Sequence, residues 1–210
     1  MATDDERIFK CVNDFGGNAV MTEARHLTGT DRIAEAAQKM DLDKDDVIVN
    51  IQGDQPVFRP SVISDLIMPF MTNQDITMST MKYRITEKSE LENPNHVKVV
   101  TDIEGFALFF SRSPIPFFRD SRSGKTHYKH LGFYAYRMGF LNKFAGLPSR
   151  ELESAEKLEQ LRALEYGFKI KVVETSYDSI EVDAPSDIKK VENIINQMDD
   201  PYSPLQSTCS

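Results

Sequence analysis

An α/β fold, with helices flanking a sheet and a small antiparallel region set into it, is predicted by three features of the sequence. Val47–Ile51 ("VIVNI") is an apolar, β-branched run of strand length. Segments with helical spacing lie on either side of it, so strand and helix alternate as in α/β proteins. Further on, Val97–Val100 and Phe106–Phe110 flank "DIEG", the pattern of a hairpin with glycine in its turn.

The elements follow in order. Glu6 to Phe15 has helical character and ends on Gly16-Gly17, as though the chain entered a β-α unit just after its strand. Thr28 and Asp31 are spaced as a capping box, and Ile33, Ala36, Ala37 and Met40 recur at helical intervals, predicting a helix through about Met40. Val47–Ile51 suits a parallel strand buried on both faces. Arg59-Pro60-Ser61 starts another helix, since proline is tolerated in a first turn. Leu131 to Tyr136 is a strand of the antiparallel region, which spans about residues 95–136. From Glu151 to Gly167 the spacing of Leu152, Ala155, Leu158, Leu161 and Leu164 predicts one amphipathic helix closed by glycine. Ile180–Val182 is a short strand and Pro185 opens the last helix. Residues 1–198 are expected to form one domain and 199–210, polar with Pro201 and Pro204, a flexible tail.

Composition narrows the function. A formal charge of -8 argues against a nucleic-acid partner, which needs a clustered basic surface, yet leaves room for a small anion in a local basic pocket. The two cysteines, Cys11 and Cys209, have neither disulfide-framework nor zinc spacing, and a reducing, cytoplasmic setting is expected. No apolar run approaches the ~20 residues that span a bilayer, and the first residues are acidic where a signal peptide is basic, so no membrane partner is expected.

Several residues are candidates for chemistry. Gly53-Asp54 closes the Val47–Ile51 run where ligands bind in open α/β sheets; it fits either a tight turn with a solvated acid or a carboxylate holding a divalent cation. Asp183 repeats the theme before Pro185, as a helix cap or as a second carboxylate of a Mg²⁺ site. Glu156, Glu159 and Gln160 border the apolar stripe of the Glu151–Gly167 helix, and serve either as solvated polar groups or as acceptors for sugar hydroxyls. His130 is a core histidine or a ligand; Arg112 is a structural bridge or an anion anchor.

Taken together, "HLTGTDRIAEAA", "VIVNIQGDQP", "NPNHVKVV", "ALFFSRSPIP", "KHLGFYAYR", "AEKLEQLRALEYG" and "VDAPSD" resemble, in order, the 3-deoxy-manno-octulosonate (Kdo) cytidylyltransferases, with "NIQGDQP", "KHLG" and "EQLR" the most discriminating. The resemblance runs from Ala2 to about Val191. It implies a nucleotidyltransferase-like mixed sheet with a small antiparallel dimerisation region, a homodimer, and transfer of CMP from CTP to Kdo with Mg²⁺, for lipopolysaccharide core synthesis. By position it implies Asp54 and Asp183 as catalytic metal carboxylates, and Thr28, Gly29, Thr30, Arg32, Gln52 and Gly53 at the nucleotide. Arg112, His130, Tyr134, Glu156, Glu159 and Gln160 would bind the sugar. Family members begin with a strand and a "PARxxSxRLPGK"-like triphosphate loop. Here Met1–Asp5 resembles the end of the second strand and no later segment offers that loop, so the first strand is expected to be missing and the 210-residue chain to be weakly active or inactive. Alternatives within reach are a related acidic sugar such as 8-amino-Kdo, or a non-catalytic relic that binds sugar or dimerises.

Overall fold

The computed structural model describes residues 1–26, 28–120, 126–179, 182 and 184–197. In chain order the elements are β1 (Ala2–Thr3), α1 (Glu6–Asp14), β2 (Val20–Met21), α2 (Gly29–Gln38), β3 (Val47–Asn50), α3 (Ser61–Thr72), β4 (Met78–Arg84) and α4 (Lys88–Glu92). There follow β5 (Lys98–Thr101), β6 (Ala107–Ser111), β7 (Tyr128–Arg137), α5 (Met138–Ala145), α6 (Glu151–Glu156), α7 (Gln160–Glu165), β8 (Lys171–Thr175) and α8 (Pro185–Gln197). β1 and β2 pair in parallel by themselves, and the other strands form a mixed six-stranded sheet.

β7 is the spine of that sheet. Along one edge it pairs antiparallel with β4, from Met78 opposite Tyr136 to Arg84 opposite Tyr128. Along its other edge it takes β5 at Lys129 and, further on, β3 from Tyr134 to Arg137. On that edge, between β5 and β3, Leu131–Phe133 has no strand alongside among the described residues. A register shift between Thr80 and Met81 marks the same place, where β7 carries extra residues as a bulge.

Side chains of β7 alternate between two cores, as period-2 geometry requires. Tyr134 and Tyr136 join a cluster with Ala34 and Ala37 of α2, Leu141 and Phe144 of α5 and Leu161 of α7. Leu131, Phe133 and Ala135 face the other way, onto Val62, Leu66 and Phe70 of α3. Helices therefore cover both faces, and apolar burial at about 25 cal/mol per Å² is the main stabilising force on each.

Local chemistry sets the element ends. Thr28 is the cap of α2, its Oγ1 accepting from the Asp31 N–H at 3.2 Å. The β5–β6 hairpin turns at Gly105, whose φ of +79° few other residues adopt without strain.

Two expectations are corrected. Val47–Asn50 runs antiparallel to β7, not parallel to a neighbour. The apolar run does report two-sided packing, with Val47 and Val49 against one core and Ile48 against the other, but hydrophobicity carries no information on strand direction. The single helix expected over Glu151–Gly167 is broken into α6 and α7 at Lys157, which adopts the left-handed conformation with φ 55° at a cost of roughly 1 kcal/mol. The apolar spacing persists across the break, because Leu158 and Leu161 still reach the core. The expected strand Ile180–Val182 and the tail 199–210 lie outside the described residues, apart from Val182.

Candidate active site

A cleft of about 440 Å³ opens at the gap along β7. Gln52, Asp54, Arg112, His130, Tyr134 and Gln160 all line it, so segments distant in sequence converge on one place. Gly132, in the bulge, makes the convergence possible. A Cβ there would sit 3.2 Å from Gln55 Nε2 and 3.5 Å from Gln52 Nε2, so any larger residue would push the Gln55 side chain back by a few tenths of an ångström.

His130 projects from β7 between Phe110, edge-on with ring centroids 5.2 Å apart, and Tyr134 at 5.3 Å. Its Nε2 lies 2.8 Å from Thr80 Oγ1. Burial pushes its pKa down to about 3, so the ring is neutral at physiological pH. Tyr134 is buried and stacks on Tyr136, and Gln160 is buried at the start of α7.

The Lys157 break divides the helical acids between different tasks. Glu156 turns back to β6, accepting from Ser111 Oγ at 2.6 Å and from the Arg112 N–H at 2.9 Å. Arg112 in turn donates from Nε to the Glu156 carbonyl at 2.7 Å and from Nη1 to the Pro94 carbonyl at 2.9 Å. Its guanidinium thus holds the end of α6 and the 93–96 turn at the cleft wall. Glu159 instead accepts from Thr30 Oγ1 at 2.7 Å, and its other oxygen lies 3.6 Å from Arg162. Burial pushes the Glu159 carboxyl up, against the opposing pull of the Thr30 hydroxyl.

The nucleotide candidates of α2 do not line this cleft. Thr28 caps the helix, Thr30 is buried against Glu159, and a Cβ at Gly29 would meet open space. Arg32 pairs with Asp4 at 3.1 Å and donates to Thr22 Oγ1 at 2.6 Å, tying α2 to the end of β1. Gly53 is exposed, open at its Cα except toward Met1 at 4.0 Å.

Asp54 is exposed at the cleft, and its backbone carbonyl accepts from the Val182 N–H at 2.8 Å. Asp183 lies outside the described residues, next in sequence to Val182. Among the described residues no three His, Cys, Asp or Glu side chains gather in metal-binding fashion. Sequence reasoning missed Asn95 and Lys157 on the cleft wall, together with Gly132 and Thr80. A glycine inside the apolar strand pattern of "KHLGFYAYR" was the available signal for the bulge; the others give none.

Comparison with known proteins assigns the chain to a family. Residues 1–171 match the cytidylyltransferase family model. The 3-deoxy-manno-octulosonate cytidylyltransferase of Syntrophus aciditrophicus is 51% identical over 195 residues, taking in 93% of this chain and 79% of that protein. The enzyme of the same name from Desulfosudis oleivorans is 52% identical over 198 residues, 94% of this chain and 80% of that one. The solved structure of CMP:2-keto-3-deoxy-manno-octonic acid synthetase complexed with CTP superposes with a TM-score of 0.86 at 37% identity, covering 93% of this chain and 79% of that one. A 4-diphosphocytidyl-2C-methyl-D-erythritol synthase from Anaerococcus prevotii, at 15% identity and a TM-score of 0.57 over 93% of this chain and 78% of that one, shares the fold alone. The sequence segments, the sheet and the matched relatives agree: the chain belongs to the 3-deoxy-manno-octulosonate cytidylyltransferase family.

Proposed function

We propose that this chain transfers CMP from CTP to Kdo in the cytoplasm, releasing pyrophosphate, with Mg²⁺ as cofactor and the product destined for lipopolysaccharide. The observation that carries the reading is the cleft itself, where Gln52, Asp54, His130 and Gln160 from separate segments meet in a chain about half identical to enzymes of that name. A neutral histidine, buried amide and aromatic ring suit a polyhydroxylated acid better than an apolar ligand.

The donor chemistry fits a hard cation. Asp54 offers carboxylate oxygen at the cleft beside the Gln52 amide, and Asp183 follows the residue held against the Asp54 carbonyl. Those two aspartates would hold Mg²⁺, which when bound neutralises charge on the triphosphate. His130, Tyr134 and Gln160 fix the sugar so that its anomeric hydroxyl meets the α-phosphorus in line; the P–O bond to the β-phosphate breaks and pyrophosphate leaves. Arg112 and Glu156 keep the wall in place, and Glu159 links it to α2. The exposed Ile103, Leu108 and Phe117 on and after the β5–β6 hairpin support a second copy of the chain as partner there.

Pyrophosphate release with CTP, Kdo and Mg²⁺ is the test, with Kdo binding followed by calorimetry. Whatever pyrophosphate the chain forms is expected to need all three and to be abolished by Asp54→Asn while Kdo still binds. Equal turnover in Asp54→Asn, or no Kdo binding by the wild-type chain, would overturn the proposal. Competition between Kdo and 8-amino-Kdo ranks the sugars.

A further inference from the structure

At the β7 bulge two backbone carbonyls face one hydroxyl. Thr80 Oγ1, buried on β4, stands 2.8 Å from the Phe133 carbonyl and 3.2 Å from the Leu131 carbonyl, and also 2.8 Å from His130 Nε2. A threonine hydroxyl has a single proton. Were that proton given to Nε2, two carbonyl oxygens would face the fully buried hydroxyl oxygen with no hydrogen between them. The proton therefore goes to the Phe133 carbonyl, and toward His130 the hydroxyl accepts. Nε2 must then carry a hydrogen.

We infer that Thr80 is a positioning residue: it locks His130 in the Nε2–H tautomer and leaves Nδ1 as an acceptor on the cleft, where it takes a hydrogen bond from a hydroxyl of the bound sugar. This rests on the sugar-binding reading of the cleft and adds a chemical preference to it. Among the described residues no hydrogen-bond partner occupies Nδ1, and His130 lines the cleft. Phe110 and Tyr134 pack against the ring, and the 2.8 Å contact with Thr80 Oγ1 favours Nε2 there over Cε1, the atom that a ring flip would put in its place. Because the ring is neutral, Nδ1 repels a carboxylate and selects a hydroxyl donor. His130 thus reads the hydroxyls of the acidic sugar and not its carboxylate. The assignment differs from a cationic histidine anchoring an anion.

The test is ¹⁵N-edited imidazole NMR on the full chain, with the His130 signals identified by their loss in His130→Gln. The expected spectrum at neutral pH shows a neutral ring protonated at Nε2, unchanged in Thr80→Ser. Thr80→Val is expected to mix the tautomers and to weaken Kdo binding about tenfold by calorimetry, the loss of roughly one hydrogen bond, with CTP binding unchanged. Addition of Kdo to the wild type is expected to shift Nδ1 and leave Nε2 in place. An Nδ1–H or doubly protonated ring in the free wild type overturns the inference whether or not Kdo binds. So does Thr80→Val with an unchanged spectrum, or with Kdo and CTP binding weakened alike. A correct tautomer with Kdo bound and Nδ1 unmoved overturns the acceptor role, whereas Kdo failing to bind at all strikes the proposed function itself.

Discussion

Thr30 Oγ1 donates a 2.7 Å hydrogen bond to Glu159 Oε2 across 129 positions of sequence, joining the N-terminal turn of α2 to the break between α6 and α7. A residue that sequence resemblance assigns to the nucleotide thereby touches one assigned to the sugar. Thr30→Val should cost about 1–3 kcal/mol in urea unfolding, because the carboxylate loses its donor in a largely buried place, while Thr30→Ser stays near wild type. The pH dependence has a definite sign. Burial raises the Glu159 pKa in the folded state and Thr30 opposes that rise, so removing Thr30 raises it further. The penalty is greatest at pH above the folded pKa and shrinks as acid protonates Glu159 in both proteins.

Glu35 gives the opposite dependence. Its carboxylate accepts from Lys39, from the Glu23 N–H and from His26, which hold its pKa down from 4.5 to about 2. A depressed acid stabilises the fold above its unfolded pKa and loses that contribution as pH falls through the folded value. The urea midpoint of wild type should exceed that of Glu35→Gln at pH 7, and the gap should close between about pH 4.5 and about pH 2.

Arg162, buried in α7, forms a two-pronged pair with Glu153 of α6, Nη2 to Oε1 at 2.5 Å and Nε to Oε2 at 2.7 Å. The pair spans the left-handed Lys157 and holds the short helices in their bent arrangement. Glu153→Ala leaves the buried guanidinium only the Leu147 carbonyl and the longer contact with Glu159, and should destabilise by about 3 kcal/mol in equilibrium unfolding. If unfolding changes by less than about 0.5 kcal/mol, the break is maintained by other contacts.

Gly132→Ala separates the site from the fold. The added methyl meets the Gln55 amide at 3.2 Å, and Gln55, 2% exposed, has little room to retreat. Kdo binding should weaken by about tenfold while the melting temperature falls only a few degrees, about 1 kcal/mol of overpacking. Calorimetry and thermal unfolding on the same sample separate these effects.

Much of this architecture is written locally. The Thr28 cap, the Gly105 turn and the apolar runs of β3 and β7 act through near neighbours, and all are readable from a few residues. The direction of β3 was not, because it depends on β7, more than eighty positions on. The Lys157 break was hidden for a related reason: the leucine spacing that predicts one helix is satisfied equally by two short helices on the same core. β4 and β8 were not singled out at all, although β4 carries Thr80. Site residues identified through resemblance do cluster at the cleft for Gln52, Asp54, Arg112, His130, Tyr134 and Gln160. Their division of labour, with Arg112 and Glu156 holding each other, emerges only once β6 is folded against α6.

The spine role of β7 has a consequence for the nascent chain. β3 and β4 each close on β7, whose last residue is Arg137, and β4 acquires its second neighbour only with β8. Until synthesis passes that point, two apolar strand segments emerge from the ribosome with bare backbone edges, in the form that recruits chaperones or self-associates. A ribosome pause upstream of Tyr128 therefore endangers this protein more than one after Thr175, since by then each strand of the sheet has its neighbours available.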